Sequence, residues 1–145
     1  MDGVDYHFVS NEQFDNLPII APSQFFVNGS GIWKYGLSLG DIDWNTINIG
    51  VFDPTRVKEL MENQYLNVKV YYIEASAKTR LMRQLSREKN PNVPEIIRRY
   101  QGDMDDFCAL PFPHESRINE TRRDAALIVR DIRASALAAL GKSSS

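Results

Sequence analysis

Between positions 80 and 99 the chain carries five arginines, Arg80, Arg83, Arg87, Arg98 and Arg99. Arg80, Arg83 and Arg87 fall at i, i+3 and i+7, so a helix would project all three from one face. A row of guanidinium groups on one face is chemistry for oxyanions, because each planar fork donates two parallel hydrogen bonds to a phosphate or carboxylate. On spacing alone the same residues also describe a solvated basic face paired with Glu88, Glu95 and Asp103. A second set is built from hydroxyls, Tyr6 and the segment Tyr35-Gly36-Leu37-Ser38. A tyrosine hydroxyl suits a phosphate because it donates a hydrogen bond from a stiff ring. Without a ligand, Tyr6, Phe8 and Tyr35 would serve as the packing residues of a half-buried strand. His7, His114 and Cys108 are too far apart in sequence for metal-ligand spacing, and no spacing supports a Ser-His-Asp arrangement.

These residues must be positioned by a mixed set of elements. Tyr6 and Phe8 alternate with polar neighbours as in a short strand, and Ser10 stands three residues before Gln13 as a capping box, flanked by Val9 and Phe14. The stretches from 24 to 28 and from 32 to 38 are aromatic and β-rich. The glycines of Asn28-Gly29-Ser30-Gly31 between them suit a hairpin turn. Residues 46–52 read as a strand, followed by the helix start Asp53-Pro54. Residues 68–73 form a nearly continuous apolar run of the kind found in parallel strands buried on both faces. Helices are expected over about 76–89 and 94–107, joined by Asn90-Pro91-Asn92. Pro111-Phe112-Pro113 then leads to an extended piece around Ile118. A last helix over 121–140 places Ala125, Ile128, Val129, Ile132, Ala136 and Leu140 at helical spacing toward the sheet, with Thr121 and Asp124 as its starting cap.

Composition narrows the functions. The 145 residues are 43% hydrophobic and 25% charged with a formal charge of −2, enough for one core and lacking the global positive field of a nucleic-acid binder. Any anion site is therefore local. One cysteine cannot form an intrachain disulfide, and no apolar run reaches the roughly 18 residues of a membrane span, so a cytoplasmic protein without a membrane partner is expected.

Three pieces together, Asp5-Tyr6-His7-Phe8-Val9-Ser10, Tyr35-Gly36-x-Ser38 and the arginine-rich segment from Ser76 to Arg99, resemble the guanylate kinase family over residues 3 to 135. The resemblance implies an α/β fold: a reduced parallel sheet with flanking helices, a small antiparallel monophosphate-binding sheet over about 4–44, and a helical lid over 76–100. It implies one domain over 1–141 and a tail at 142–145. It implies that Tyr6 and Tyr35 hold a monophosphate, that Ser38 lies beside the base, and that Arg83, Arg87 and Arg99 are the lid arginines, with Arg80 joining the ligand-binding set by its spacing. Asn119 matches an asparagine near the adenine of ATP. Magnesium would come only with a nucleotide; no protein-bound cofactor or metal is expected.

Departures from the family pattern weaken guanine recognition. Leu37 replaces a threonine, Asn28 stands where a glutamate reads the base, and Gly50 stands where an aspartate ends a strand. A site that leaves a base's donors unpaired gives up its main discrimination. The phosphate-binding loop, G-x-x-x-x-G-K followed by Ser or Thr between a strand and a helix, does not occur ahead of Tyr6. Gly141-Lys142-Ser143 mimics its end, but Ala136 takes the first glycine's place. The expectation is a protein that binds or sequesters a nucleotide or other phosphorylated ligand without phosphoryl transfer. The alternatives are part of an active GMP or dGMP kinase, or an interaction module using Phe25, Phe26, Trp33 and Trp44. A central strand missing from the sheet would leave an exposed edge that a homodimer could cover.

Overall fold

A computed structural model describes residues 7–27, 31–87 and 89–143. It is a mixed α/β chain with five helices and two two-stranded sheets among these residues, one antiparallel and one parallel. Its contacts divide it into two units, Met1–Leu66 and Asn67–Ser145.

The first unit is a hairpin dressed with two short helices. Ser10 caps α1 (Asn11–Asp15) as expected: its hydroxyl accepts from Gln13 N–H at 3.1 Å while Gln13 Oε1 accepts from Ser10 N–H at 2.8 Å. Tyr6 lies outside the described residues, and His7 and Phe8 are not in a strand. β1 (Ile19–Val27) pairs antiparallel with β2 (Gly31–Ser38), with Phe25 opposite Trp33 and Ser23 opposite Tyr35. Gly31 has φ 79°, the left-handed conformation that the glycine-rich turn was expected to need. Ala21 has φ 50° at an irregularity between Ile20 and Ser23. Gly36 is a packing glycine, since a Cβ there would collide with the Ile19 side chain and press on the Phe14 ring.

α2 (Pro54–Glu62) starts where the sequence places it, with the Asp53 carboxylate accepting from Arg56 N–H at 3.0 Å. It packs on β1, Arg56 Nε donating to Ser23 Oγ, and brings in Leu60, which with Ala21 is the buried apolar content among the described residues.

The strand expected over 46–52 does not form. The Asn48 amide instead donates to Asp43 C=O at 2.9 Å and accepts from Asp43 N–H at 3.1 Å, while Asp43 Oδ1 accepts from Asn45 N–H at 3.0 Å. These side chains tie up the turn just ahead of the run, where Thr46 N–H also donates to Asp43 C=O at 3.2 Å, and no described strand pairs with residues 46–52. Val51, read as a strand residue, is fully exposed.

The second unit is built around β3 (Tyr71–Glu74), paired parallel with β4 (Glu115–Ile118). Backbone bonds extend the pairing at both ends, from Glu115 N–H to Val70 C=O at 3.0 Å and from Asn119 N–H to Glu74 C=O at 2.7 Å. The expected double-sided burial of this run is not realised. Two strands give each other one neighbour only, so Tyr71 and Tyr72 are half-buried and Ile73 is exposed. Tyr71 lies between two cations, Lys69 Nζ at 5.1 Å and the Arg117 guanidinium at 5.5 Å from its ring centre. Tyr72 stacks on Phe107 and meets His114 edge-on.

Three helices complete the unit: α3 (Ala77–Leu85), α4 (Val93–Asp106) and α5 (Arg122–Ser143). Asn92 caps α4 through Glu95 N–H at 3.2 Å. α5 begins at the expected reciprocal cap, Asp124 N–H donating to Thr121 Oγ1 at 3.2 Å and Thr121 N–H to Asp124 Oδ2 at 2.7 Å. Of its predicted stripe, Ala125, Ile128, Ile132 and Ala136 are half-buried, and Val129 and Leu140 are exposed. Polar ties hold α5 beside the strands, Arg117 to Asp131 at 2.7 Å and Lys69 to Ser135 at 3.0 Å.

Burial is sparse throughout. The accessible surface is 11548 Å², whereas two separately folded units of this combined length would expose about 9,000 Å². No described side chain is fully buried.

Candidate anion-binding site

α3 is fixed at its first turn from two directions. Ser76 Oγ accepts from Thr79 N–H at 3.2 Å, satisfying one of the helix's unpaired donors. The Glu120 carboxylate, on the turn between β4 and α5, then accepts from Ser76 N–H, from Ser76 Oγ at 3.0 Å and from Thr79 Oγ1. Three donors and the positive end of the helix stabilise the charged form. The Thr79 hydroxyl first, then the Ser76 backbone N–H, hold Glu120 below its ordinary carboxyl value of 4.5.

A depressed carboxyl pKa contributes stability above its unfolded value and loses it as the pH falls through the folded value. Glu120→Gln is therefore expected to lower the unfolding temperature of the second unit at neutral pH. The difference from wild type should shrink as the pH drops below about 4.5. Helical circular dichroism across a pH series checks this, and a gap that stays constant down to strongly acidic pH would contradict it.

From this anchored start the helix projects Arg80 and Arg83; it ends at Leu85, short of the expected 89, and Arg87 lies in the turn that follows. Arg80, Arg83 and Arg87 line one cleft of about 460 Å³ together with Gln84 and Ser86. Arg80 reaches toward α4, its guanidinium 4.9 Å from the centre of the Tyr100 ring and its Nη2 3.5 Å from Tyr100 Oη. Cation–π packing of this kind holds a guanidinium in place without neutralising it. Arg83 Nη2 donates to Asn119 Oδ1 at 3.4 Å, so the predicted Asn119 does join the arginine row. Arg83 and Arg87 are exposed, and neither forms an ion pair among the described residues. Arg83 feels the charge of Glu120 without forming an ion pair with it; the three like charges otherwise repel one another, and an anion placed among them relieves that repulsion.

Arg99 does not line the cleft. Its Nε donates to Glu95 Oε1 at 2.7 Å, and Arg98 holds the same carboxylate through Nε and Nη2, each at 2.7 Å. Arg98 first and Arg99 second pull the Glu95 pKa down to about 2. The solvated-face reading thus describes Arg98 and Arg99 on α4, whereas the anion reading fits Arg80 and Arg83 on α3 and Arg87 just past its end. Glu88 lies outside the described residues.

Tyr35 and Ser38 belong to the first unit. Tyr35 meets Phe25 edge-on with ring centres 5.9 Å apart, on the sheet face that also carries Ser23 and Trp33. Ser38 is buried, and its hydroxyl accepts from Gly40 N–H at 3.1 Å to cap the turn Leu39–Asp41. Alternation along a strand puts residues 35 and 38 on opposite faces of β2.

Sequence reasoning missed Glu120, Gln84 and Tyr100. Glu120 contacts residues 41 and 44 positions away, a separation that leaves no local signal. Gln84 was legible in principle, because it follows Arg80 by four residues and so shares its face.

No group of three or more His, Cys, Asp or Glu side chains gathers as a metal site among the described residues. None of the described helices is long and apolar enough to cross a membrane. Comparisons of the chain with protein-family models, with curated proteins and with solved structures return no match.

Proposed function

We propose that this chain is guanylate-kinase-like and that the α3 cleft binds a phosphorylated ligand, a nucleotide foremost, without transferring its phosphate. The observation that carries the reading is the convergence of Arg80, Arg83 and Arg87 on one cleft with no carboxylate among its lining residues. Such a row can hold a phosphate by charge-assisted hydrogen bonds. Phosphoryl transfer needs a second cradle of backbone amides and a lysine on the donor's phosphates, and residues 1–145 contain no segment of that pattern. Calorimetric titration with GMP, dGMP and AMP should give saturable heat, and a coupled assay with ATP and magnesium should show no turnover. Heat without turnover is the expected pair of results. Turnover would make the chain a kinase, and silence with every phosphate ligand would make it an interaction module.

The open apolar surface favours a second reading, in which a further polypeptide covers these units. A second copy along the β3–β4 sheet would do so, as would the remainder of a larger nucleoside monophosphate kinase. Exposed Phe25, Phe26, Trp33, Trp44 and Ile118 are surface of the kind that water-soluble monomers keep in small patches. Sedimentation of the 145-residue chain checks the homodimer: a species of twice the monomer mass supports it, and a monomer at all concentrations excludes it.

A further inference from the structure

Among the residues lining the arginine cleft, Ser86 is the one that carries a hydroxyl. It caps the C-terminal end of α3, its Oγ donating to Met82 C=O at 2.7 Å and to Arg83 C=O at 3.2 Å. Ser86 is exposed, as are Arg83 three residues before it and Arg87 directly after it. Its hydroxyl therefore opens onto the same cations that would hold a ligand's phosphate.

The sequence around it is distinctive within this chain. Arg83 to Ser86 is the one place in the 145 residues where an arginine stands three positions before a serine or threonine, and Arg80 stands three positions earlier again. Protein kinases that read charge select a hydroxyl by the basic residues placed near it. The backbone permits access. α3 has nine residues and stops at Leu85, and so short a helix frays at its end, so residues 83–87 can be drawn out while the Glu120 carboxylate keeps the first turn in place.

Resting on the phosphorylated-ligand reading above, we propose that Ser86 is a phosphorylation site and that its phosphate, held by Arg83 and Arg87, closes the cleft to other phosphorylated ligands. In the modifying step Ser86 Oγ bonds to the γ-phosphorus of ATP on a serine kinase, and the bond from that phosphorus to the β,γ-bridging oxygen breaks. ADP leaves with the electron pair, and the hydroxyl proton passes to the kinase's catalytic carboxylate. Side chains three apart on a helix are neighbours, so the phosphate reaches Arg83. Arg87 lines the same cleft from the turn. Two effects then compete. A dianion at a helix C-terminus meets the negative end of the helix dipole, and the bond to Met82 C=O is lost with the hydroxyl proton. Two guanidinium groups outweigh this, because each brings a full charge and paired donors against the dipole's half charge.

The test treats the wild-type chain with ATP, magnesium and an arginine-directed serine kinase of the calmodulin-dependent class, and maps the phosphate by mass spectrometry. Uptake at Ser86 is expected; a folded chain that takes up no phosphate there overturns the proposal. Phosphorus NMR then reads where the phosphate sits. A phosphoserine loses its last proton near about pH 6. Beside two arginines that midpoint should fall to about 5.5 or below, return to its ordinary value in denaturing urea, and fall less in Arg87→Ala. A midpoint that is unchanged or raised in the folded chain, or one that Arg87→Ala does not move, overturns the proposal.

Calorimetry with GMP at about pH 8, where phosphoserine is a dianion, reads the closure. The phosphorylated chain should bind at least about 100-fold more weakly than the unmodified one, because both arginines are taken up, and phosphatase treatment should restore binding. Equal affinity overturns the proposal and leaves the ligand reading intact. Absence of heat from the unmodified chain overturns the ligand reading, and with it the closure that rests on it.

Discussion

Replacing Arg83 and Arg87 together by alanine is expected to weaken phosphate-ligand binding at least about 100-fold while leaving the melting temperature near that of wild type. Hydrogen bonds from a charged donor contribute roughly 1.5–3 kcal/mol each where water is largely excluded. Two of them could reach about 3–6 kcal/mol. Both side chains are exposed, so solvent and salt screen the pair and the lower end applies, about 3 kcal/mol or roughly 100-fold. Stability should hardly move, because the structure gives Arg83 one long hydrogen bond, to Asn119 at 3.4 Å. Arg98→Ala provides the contrast. Its guanidinium is taken up by Glu95 and does not line the cleft, so affinity should stay within about twofold of wild type. Titration of all three chains at low and at near-molar salt checks the argument. Equal losses in the arginine pair and in Arg98→Ala would show a diffuse charge effect in place of a site.

Leu60→Ala should be the most damaging single substitution in the first unit. Leu60 is 5% exposed and is the large apolar side chain that the described part of this unit buries. Removing a buried leucine side chain to the β-carbon costs about 2–5 kcal/mol, through lost transfer energy and the cavity left behind. A unit of this size holds only about 3–5 kcal/mol in total. α2 packs on β1, and Arg56 on the same helix donates to Ser23, so loss of Leu60 should release the helix and the hairpin together. Both tryptophans, Trp33 and Trp44, lie in this unit, so intrinsic fluorescence reports its unfolding without interference from the second. The expected result is a large drop in the fluorescence midpoint with the helical signal of α3, α4 and α5 retained. An unchanged midpoint would mean that the hairpin is stable without α2.

Local chemistry made much of the fold legible from the residues. The Ser10–Gln13 box, Asp53-Pro54, and Thr121 with Asp124 each announce a helix start through side chains that satisfy nearby amides, and each is found where the spacing places it. The hairpin follows from alternating aromatics around a glycine-rich turn, and the parallel pairing from the apolar run near Tyr71. The same periodicity put Arg80 and Arg83 on one face of α3, while Arg87, expected on that helix, lies past its last turn. Where local patterns failed, the deciding partner lay elsewhere. Residues 46–52 have strand-like composition, but a strand exists only when a neighbour takes its hydrogen bonds, and no described strand pairs with them. Tertiary structure alone separated the arginines. Glu95 claims Arg98 and Arg99, while the turn after β4 brings Asn119 to Arg83 and Glu120 to the first turn of α3. Spacing determines which residues share a face; only the packing of distant segments decides whether that face meets a carboxylate of its own or stays open to a ligand's.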